Sequence, residues 1–281
     1  MKTGIVLEGG AMRGLFTAGA IDVLMENGIE FHGMAGVSAG ACFGCNYKSR
    51  QIGRALRYNL KYCRDPRYCS LRSLVTTGDL YGADFCYREI PEVLDPFDIE
   101  AYRANPMAFY AVCTDVQTGE AVLHRCDLGN GEDLNWFRAS ASMPMVSRVV
   151  EINGRGYLDG GVADSIPLKR FEEMGYGKNL VVLTQPEGFV KHKSRAFPLM
   201  RLMLKKYPAM LRAMEQRPEK YNETLAYIRS REAAGAALVL RPDFPLPVRR
   251  TEHDPAKLQA CYDHGREVAL RRLGEIREFL Q

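Results

Sequence analysis

Three short stretches of this 281-residue chain bring together residue types that chemistry uses. Gly36-Val37-Ser38-Ala39-Gly40 fits G-x-S-x-G. Glycines on either side of a serine let it sit on a tight strand-to-helix turn without side-chain collisions, its hydroxyl presented outward as a nucleophile. Such a pentapeptide also arises from composition alone, so context decides its weight. Here a short apolar run, Met34 to Val37, precedes it and a helix-like stretch follows. In that setting the free N–H groups and partial positive charge of the helix N-terminus point to where a developing oxyanion would lie. Glu8-Gly9-Gly10-Ala11-Met12-Arg13-Gly14 is the second stretch. It reads as an ordinary βα turn, as a pyrophosphate cradle, or as backbone donors for the oxyanion formed when Ser38 attacks a carbonyl. The dinucleotide reading asks for glycine at the third motif position and an acidic residue closing the second strand. The chain has Ala11 and Val37-Ser38 in those places. The third stretch, Asp159-Gly160-Gly161, sets a carboxylate beside two glycines after an apolar hairpin strand, and alone would be a turn. A nucleophilic serine usually takes a histidine base, yet the five histidines, at 32, 124, 192, 253 and 264, stand in no recognisable relation to Ser38.

Taken in order, the G-G-x-x-R-G loop, the G-x-S-x-G turn and the D-G-G resemble the patatin-like phospholipases. Ala139-Ser140-Ala141-Ser142-Met143-Pro144 and the run from Asp159 to Leu168 are similar to that family as well, so the resemblance covers about residues 3–190. It implies a Ser/Asp dyad in place of a triad. Ser38 attacks an acyl carbonyl, Asp159 takes its proton and passes it to the leaving alcohol, and water then releases the acyl group. It further implies that the N–H groups of Gly10 and Ala11 hold the oxyanion within the Gly9, Met12 and Gly14 loop, and that Arg13 braces the loop or attracts an anionic head group. Gly36 and Gly40 would shape the elbow, Gly160 and Gly161 would lie near the base, and no metal or organic cofactor is called for. Family members usually carry glycine where Ala11 stands; alanine is accommodated if its φ is negative. A free carboxylate, with a pKa of about 3.9, is a weak base for a serine hydroxyl. Proton transfer is therefore expected to be concerted with attack, the helix dipole and oxyanion donors stabilising the resulting charge.

The elements that must position these residues are legible as an α/β pattern. Apolar runs at Ile5 to Leu7, Met34 to Val37, Ala108 to Cys113 and Leu180 to Leu183 alternate with helix-like stretches, as parallel strands covered by helices do. The first unit is strand, glycine loop, helix to about Asn27 with Gly28 as C-cap, then a second strand ending at Val37. Ser38 to Arg64 reads as helical, and Asp65 to Pro106 as loops and short helices. Gly119 to His124 reads as a strand, Glu132 to Ala141 as a helix, and Val149 to Leu158 as a hairpin turning at Asn153-Gly154 that delivers Asp159. The expected fold is a three-layer α/β/α sandwich with a mainly parallel sheet at residues 3–190, followed by a mainly helical extension at 191–281 whose last helix carries an apolar docking stripe.

Composition bounds the function. The 46% hydrophobic and 26% charged residues are those of an ordinary globular protein, and no apolar run reaches the length of a membrane span. The N-terminus does not resemble a signal peptide, so the eight cysteines are expected to be reduced, buried small hydrophobes in a cytoplasmic protein, Cys42-x-x-Cys45 included. A net charge of +4 is modest, but Lys48 to Arg72 and Lys191 to Arg217 each hold eight Lys or Arg against one acidic residue. Such faces are ordinarily just solvated. The functional reading of the second is a methionine-bearing element, interrupted by Pro208, that lies on an anionic membrane surface or covers the mouth of the site. Nucleic-acid binding is not expected, since no recognisable module accompanies the charge. The expected function is hydrolysis of lipid acyl esters; the alternatives are a non-catalytic lipid-binding or regulatory protein on the same fold, and a hydrolase with a histidine triad.

Overall fold

The computed structural model describes residues 1–193 and 197–281, so Ser194, Arg195 and Ala196 of the second cationic segment lie outside the described residues. The chain runs β1 (Lys2–Leu7), α1 (Gly14–Glu26), β2 (Gly33–Val37), α2 (Ala39–Lys48), α3 (Arg54–Tyr62), α4 (Leu71–Thr77), a π-helix (Phe85–Leu94) and α5 (Ile99–Ala104). It continues with β3 (Ala108–Asp115), β4 (Ala121–Arg125), α6 (Gly131–Ala141), β5 (Val150–Ile152), β6 (Arg155–Asp159) and α7 (Leu168–Glu173). The last third holds β7 (Tyr176–Val182), α8 (Phe197–Met203), α9 (Pro208–Ala233), β8 (Ala237–Leu240), α10 (Pro255–Arg271) and α11 (Leu273–Leu280).

The strands form one sheet in the order β5-β6-β3-β2-β1-β7-β8, with β4 also paired to β3. Pairings among β3, β2, β1, β7 and β8 are parallel, while β4, β5 and β6 run antiparallel. Because side chains alternate along a strand, each central strand feeds two cores. Ile5, Leu7, Met34, Leu180 and Val182 enter a core with α1, α2 and α10; Val6, Ala35 and Val181 enter a second with Phe171, Tyr221, Leu225 and Ile228. Helices thus cover both faces, the expected three-layer α/β/α arrangement.

Two local expectations are refined. The stretch read as helical from Ser38 to Arg64 is two helices, because the chain reverses between them with Arg50 at φ 55° and Gly53 at φ 74°. Asp22 accepts the Gly53 N–H at 2.8 Å, and Arg54 returns to the Asn46 side-chain oxygen at 2.9 Å, which pins the turn. The extension is mainly helical but also supplies β8, which adds in parallel to β7. Ala237–Leu240 is a fully buried apolar run between Gly235 and Pro242, too short to be a helix and suited to an interior strand.

Candidate active site

Ser38 joins β2 to α2 with φ 55° and ψ −120°, a conformation that non-glycine residues avoid at a cost of about 1–3 kcal/mol. The surrounding hydrogen bonds hold it there. Its N–H donates to the Ser140 hydroxyl at 2.9 Å, and that hydroxyl donates to the Val112 carbonyl at 2.6 Å. Its carbonyl accepts from Ala41 and Cys42 in the first turn of α2. A Cβ at Gly40 would drive into the Leu7 carbonyl, so only glycine lets α2 start this close to β1.

Asp159 closes β6, where pairing with β3 fixes its backbone. Its N–H donates to the Ser142 carbonyl at 2.8 Å, its carbonyl accepts from the Thr114 hydroxyl at 2.8 Å, and its side chain accepts the Gly161 N–H at 2.8 Å. Ser38, 7% exposed, and Asp159, 6% exposed, line one cavity, and the serine hydroxyl is among the groups that hold the carboxyl's pKa down. Burial raises the carboxyl above its ordinary range, opposed by the nearby Arg217 guanidinium, the Ser38 hydroxyl and the Gly161 amide.

The glycine loop lies beside Ser38, close enough that a Cβ on Gly9 would sit 2.9 Å from the serine Cβ. Among the described residues no protein group accepts from the Gly10 or Ala11 N–H. Ala11 has φ 49°, so the negative φ under which alanine was expected to fit is not adopted and the alanine sits in the left-handed region. Glu8 anchors the loop's start: its carboxylate accepts from the Thr184 N–H at 2.6 Å, the Thr184 hydroxyl at 3.0 Å and the Tyr221 hydroxyl at 2.6 Å. Tyr221 belongs to α9, so the C-terminal region is tied directly to the loop.

Ser38 stands where two cavities meet. One, of about 110 Å³, is largely apolar and is lined by Met12, Phe43, Tyr58, Phe97, Leu134 and Phe137 among others. The other, of about 300 Å³, holds Asp159 and the loop with Arg13, Lys191, Arg217, Arg250, Met200 and Met214. Sequence reasoning missed Arg217 and Arg250 as site residues; Lys191 and Arg217 stood only within a cationic run, with no signal of which members would face Ser38. Among the described residues no histidine lines either cavity. His32 instead meets Thr3, His253 meets the Cys63 carbonyl, His264 packs on Phe16 and Phe244, and His124 stacks on Trp136.

All eight cysteines are free, and Cys45 donates to the Cys42 carbonyl within α2. Among the described residues, one group could gather a metal ion, His124, Cys126 and Asp133, with ligand atoms within 4.8 Å of one another. Asp133 there already accepts the Leu128 and Gly129 N–H groups. Among the described residues no helix is long and apolar enough to cross a membrane.

Comparison with known proteins adds the following. The family model described as patatin-like phospholipase matches residues 5–171, and one described as a domain of unknown function, DUF6363, matches residues 207–281. The Escherichia coli K12 protein YjjU is 29% identical over 66% of this chain and 52% of its own length. Lysophospholipase NTE1 of Meyerozyma guilliermondii is 25% identical over 61% of this chain and 12% of its own. The chain therefore spans about half the length of YjjU and a small part of NTE1. The crystal structure of VipD from Legionella pneumophila aligns with 98% of this chain and 67% of that one at 12% identity and a TM-score of 0.49.

Proposed function

The chain belongs to the patatin-like phospholipase family, and from that premise we propose that it is a serine acyl hydrolase that cleaves fatty acyl esters of lipids, with Ser38 as nucleophile and Asp159 as base. The observation that carries this reading is the placement of Ser38, strained on its turn beside a buried carboxylate, at the junction of an apolar and a cationic cavity. The apolar cavity suits an acyl chain and the cationic one the rest of the ester.

The chemistry follows from this arrangement. The Ser38 oxygen attacks the acyl carbonyl as its proton passes to Asp159, whose burial makes it a stronger base than a solvated carboxylate. The carbonyl oxygen becomes an oxyanion, received by the Gly10 and Ala11 N–H groups and the α2 N-terminus. When the tetrahedral intermediate collapses, Asp159 returns the proton to the leaving alcohol and an acyl-serine remains. Water then attacks the acyl-serine with Asp159 taking its proton, and as the second tetrahedral intermediate collapses that proton passes to the Ser38 oxygen and the fatty acid leaves. Among the described residues no histidine lines either cavity, which supports a two-residue device over a histidine triad. Met200 and Met214 line the cationic cavity, while Leu199, Leu202 and Met203 on α8 are exposed, which supports a peripheral contact between α8 and the lipid surface that supplies the substrate.

Labelling with a serine-reactive fluorophosphonate, read as adduct mass, tests the assignment beside turnover of a series of acyl esters. The expected result is one adduct and ester turnover on the wild type and neither on Ser38→Ala. A folded wild type that takes no label would favour a lipid-binding protein.

A further inference from the structure

We propose that His124, Cys126 and Asp133 form a Zn²⁺ site, with water as the fourth ligand, and that the ion braces the start of α6. The three residues lie outside both cavities at Ser38, so the ion takes no part in acyl transfer. The site stands independently of the hydrolase reading.

The three ligand atoms lie within 4.8 Å of one another. His124 in β4 and Cys126 just beyond it are two residues apart on extended chain, so their side chains project to the same side. Asp133 returns to them in the first turn of α6, after the chain bends at Gly129 with φ 61°. Cys126 and Asp133 are buried, while His124 is half-buried and gives solvent access from its side. The ligand atoms are unspent. Both amides that Asp133 accepts, from Leu128 at 2.7 Å and Gly129 at 2.6 Å, go to Oδ2, and among the described residues Oδ1 accepts none. The Cys126 thiol has a long contact of 3.7 Å to the His124 carbonyl. Among the described residues neither ring nitrogen of His124 has a hydrogen-bond partner, and none comes within 4.0 Å of a carboxylate oxygen. The ring is held instead by stacking on Trp136, centroids 3.9 Å apart and planes 10° from parallel.

Polar groups buried with ligand atoms unpaired are costly unless a partner compensates. Imidazole nitrogen, thiolate and a single carboxylate oxygen are donors that Zn²⁺ takes, and the two negative charges of thiolate and carboxylate match its own. Mg²⁺ and Ca²⁺, which take oxygen donors, do not suit the set. Burial favours the neutral imidazole, the form that ligates, and the Ala111 amide favours the thiolate. That amide, the two amides on Asp133 Oδ2 and the indole behind His124 are outer contacts that orient ligands. The consequence runs along α6. At its far end the Ser140 hydroxyl accepts the Ser38 N–H at 2.9 Å, and the carbonyl of Ser142, the C-cap, accepts the Asp159 N–H at 2.8 Å. An ion that ties Asp133 to the end of β4 therefore fixes the helix from which Ser38 and Asp159 are held.

The test uses the full chain, reduced and stripped with a chelator. Trp136 is the chain's one tryptophan, so its fluorescence reads an ion bound at His124 directly. Co²⁺, a quencher at close range, is expected to quench it saturably at one equivalent, to bring a thiolate-to-cobalt absorption band, and to be displaced by Zn²⁺. His124→Phe keeps a ring to stack on Trp136 and removes the nitrogens, and Cys126→Ser removes the sulfur. Each is expected to weaken binding at least about a hundredfold, since loss of an outer contact alone costs about 10–100-fold. Zn²⁺ is expected to raise the wild-type Tm and to slow hydrogen exchange in α6, with neither effect in the variants. No saturable quenching of the folded wild type, or quenching undiminished in folded His124→Phe, would overturn the site. Uptake of Zn²⁺ unchanged in both variants would place the ion on other thiols, such as Cys42 and Cys45, and overturn it as well. Displacement of Co²⁺ by Mg²⁺ as readily as by Zn²⁺ would overturn the ion's identity, and binding without slower exchange in α6 would overturn the brace.

Discussion

Asp159 holds its charge at a site where burial opposes it. Its folded pKa is raised, so the folded state binds the proton more tightly than the unfolded chain. The penalty is absent below the ordinary carboxylate range, grows as pH rises through it, and is complete above the raised folded value. Asp159→Asn removes the penalty while keeping an acceptor for the Gly161 N–H. Scanning calorimetry at neutral pH should therefore show a higher Tm, by about 2–4 °C for each kcal/mol relieved. The same variant should lose acyl-enzyme formation by about 10²–10⁴, the contribution of a positioned general base, and near-normal acylation would remove Asp159 from the proposed role. In the proposed mechanism turnover requires the ionised carboxylate, so its acid limb should lie above the usual carboxylate range. Arg217 is the largest influence holding that value down, so Arg217→Gln should move the limb to higher pH in a pH–rate profile.

At the scale of elements, the C-terminal region completes the fold as well as extending it. β8 covers the edge of β7, and α10 lies on α1 so closely that a Cβ at Gly265 would enter the Phe16 carbonyl and one at Gly19 the Tyr262 carbonyl. Leu258, Cys261, Tyr262 and Val268 are buried by that contact. A chain ending at residue 190 would expose this apolar surface and an unpaired strand edge, and is expected to be insoluble or unfolded by far-UV circular dichroism. A well-folded, labelled fragment 1–190 would show that the first part stands alone. This dependence was only half legible in the sequence. The apolar stripe of the last helix announced a docking face, and runs such as Ile5 to Leu7 and Leu180 to Leu183 announced strands, because burial on both sheet faces writes a continuous apolar signature. Ala237–Leu240 was hidden because four residues carry no periodicity and lie between helices. The serine turn and the D-G-G were legible because close backbone approaches there demand glycine, a Cβ at Gly40 meeting the Leu7 carbonyl and one at Gly160 the Val112 carbonyl. Arg13 was legible from the loop motif, but that Arg217 and Arg250 would join it was not, since they reach the cavity at Ser38 only through tertiary packing.

At the scale of the whole molecule, the proposed lipid substrate must be reached by a protein without a membrane-spanning helix among its described residues. The net charge of +4 is unevenly spread, and α8 with the start of α9 concentrates the two features that peripheral contact needs. Leu199, Leu202 and Met203 are exposed apolar side chains, and Arg201, Lys205 and Arg212 are exposed cations in the same segment. Met210 is instead packed in the core beneath, which fixes the segment to the body, and Met200 and Met214 line the cavity at Ser38. A bilayer touching this segment would therefore meet the protein close to the site. Each Lys or Arg near an anionic surface contributes about 1 kcal/mol, so replacing three by glutamate should weaken binding to phosphatidylglycerol vesicles by well over tenfold. Co-sedimentation should show that loss for the triple variant Arg201→Glu, Lys205→Glu, Arg212→Glu, together with steep salt sensitivity in the wild type and little binding to neutral vesicles. Because none of the three lines the cavity, turnover of a monomeric short-chain ester should separate the two effects. A fall on vesicles alone assigns the segment to surface contact, while unchanged vesicle binding removes that role and leaves these charges as a solvated face.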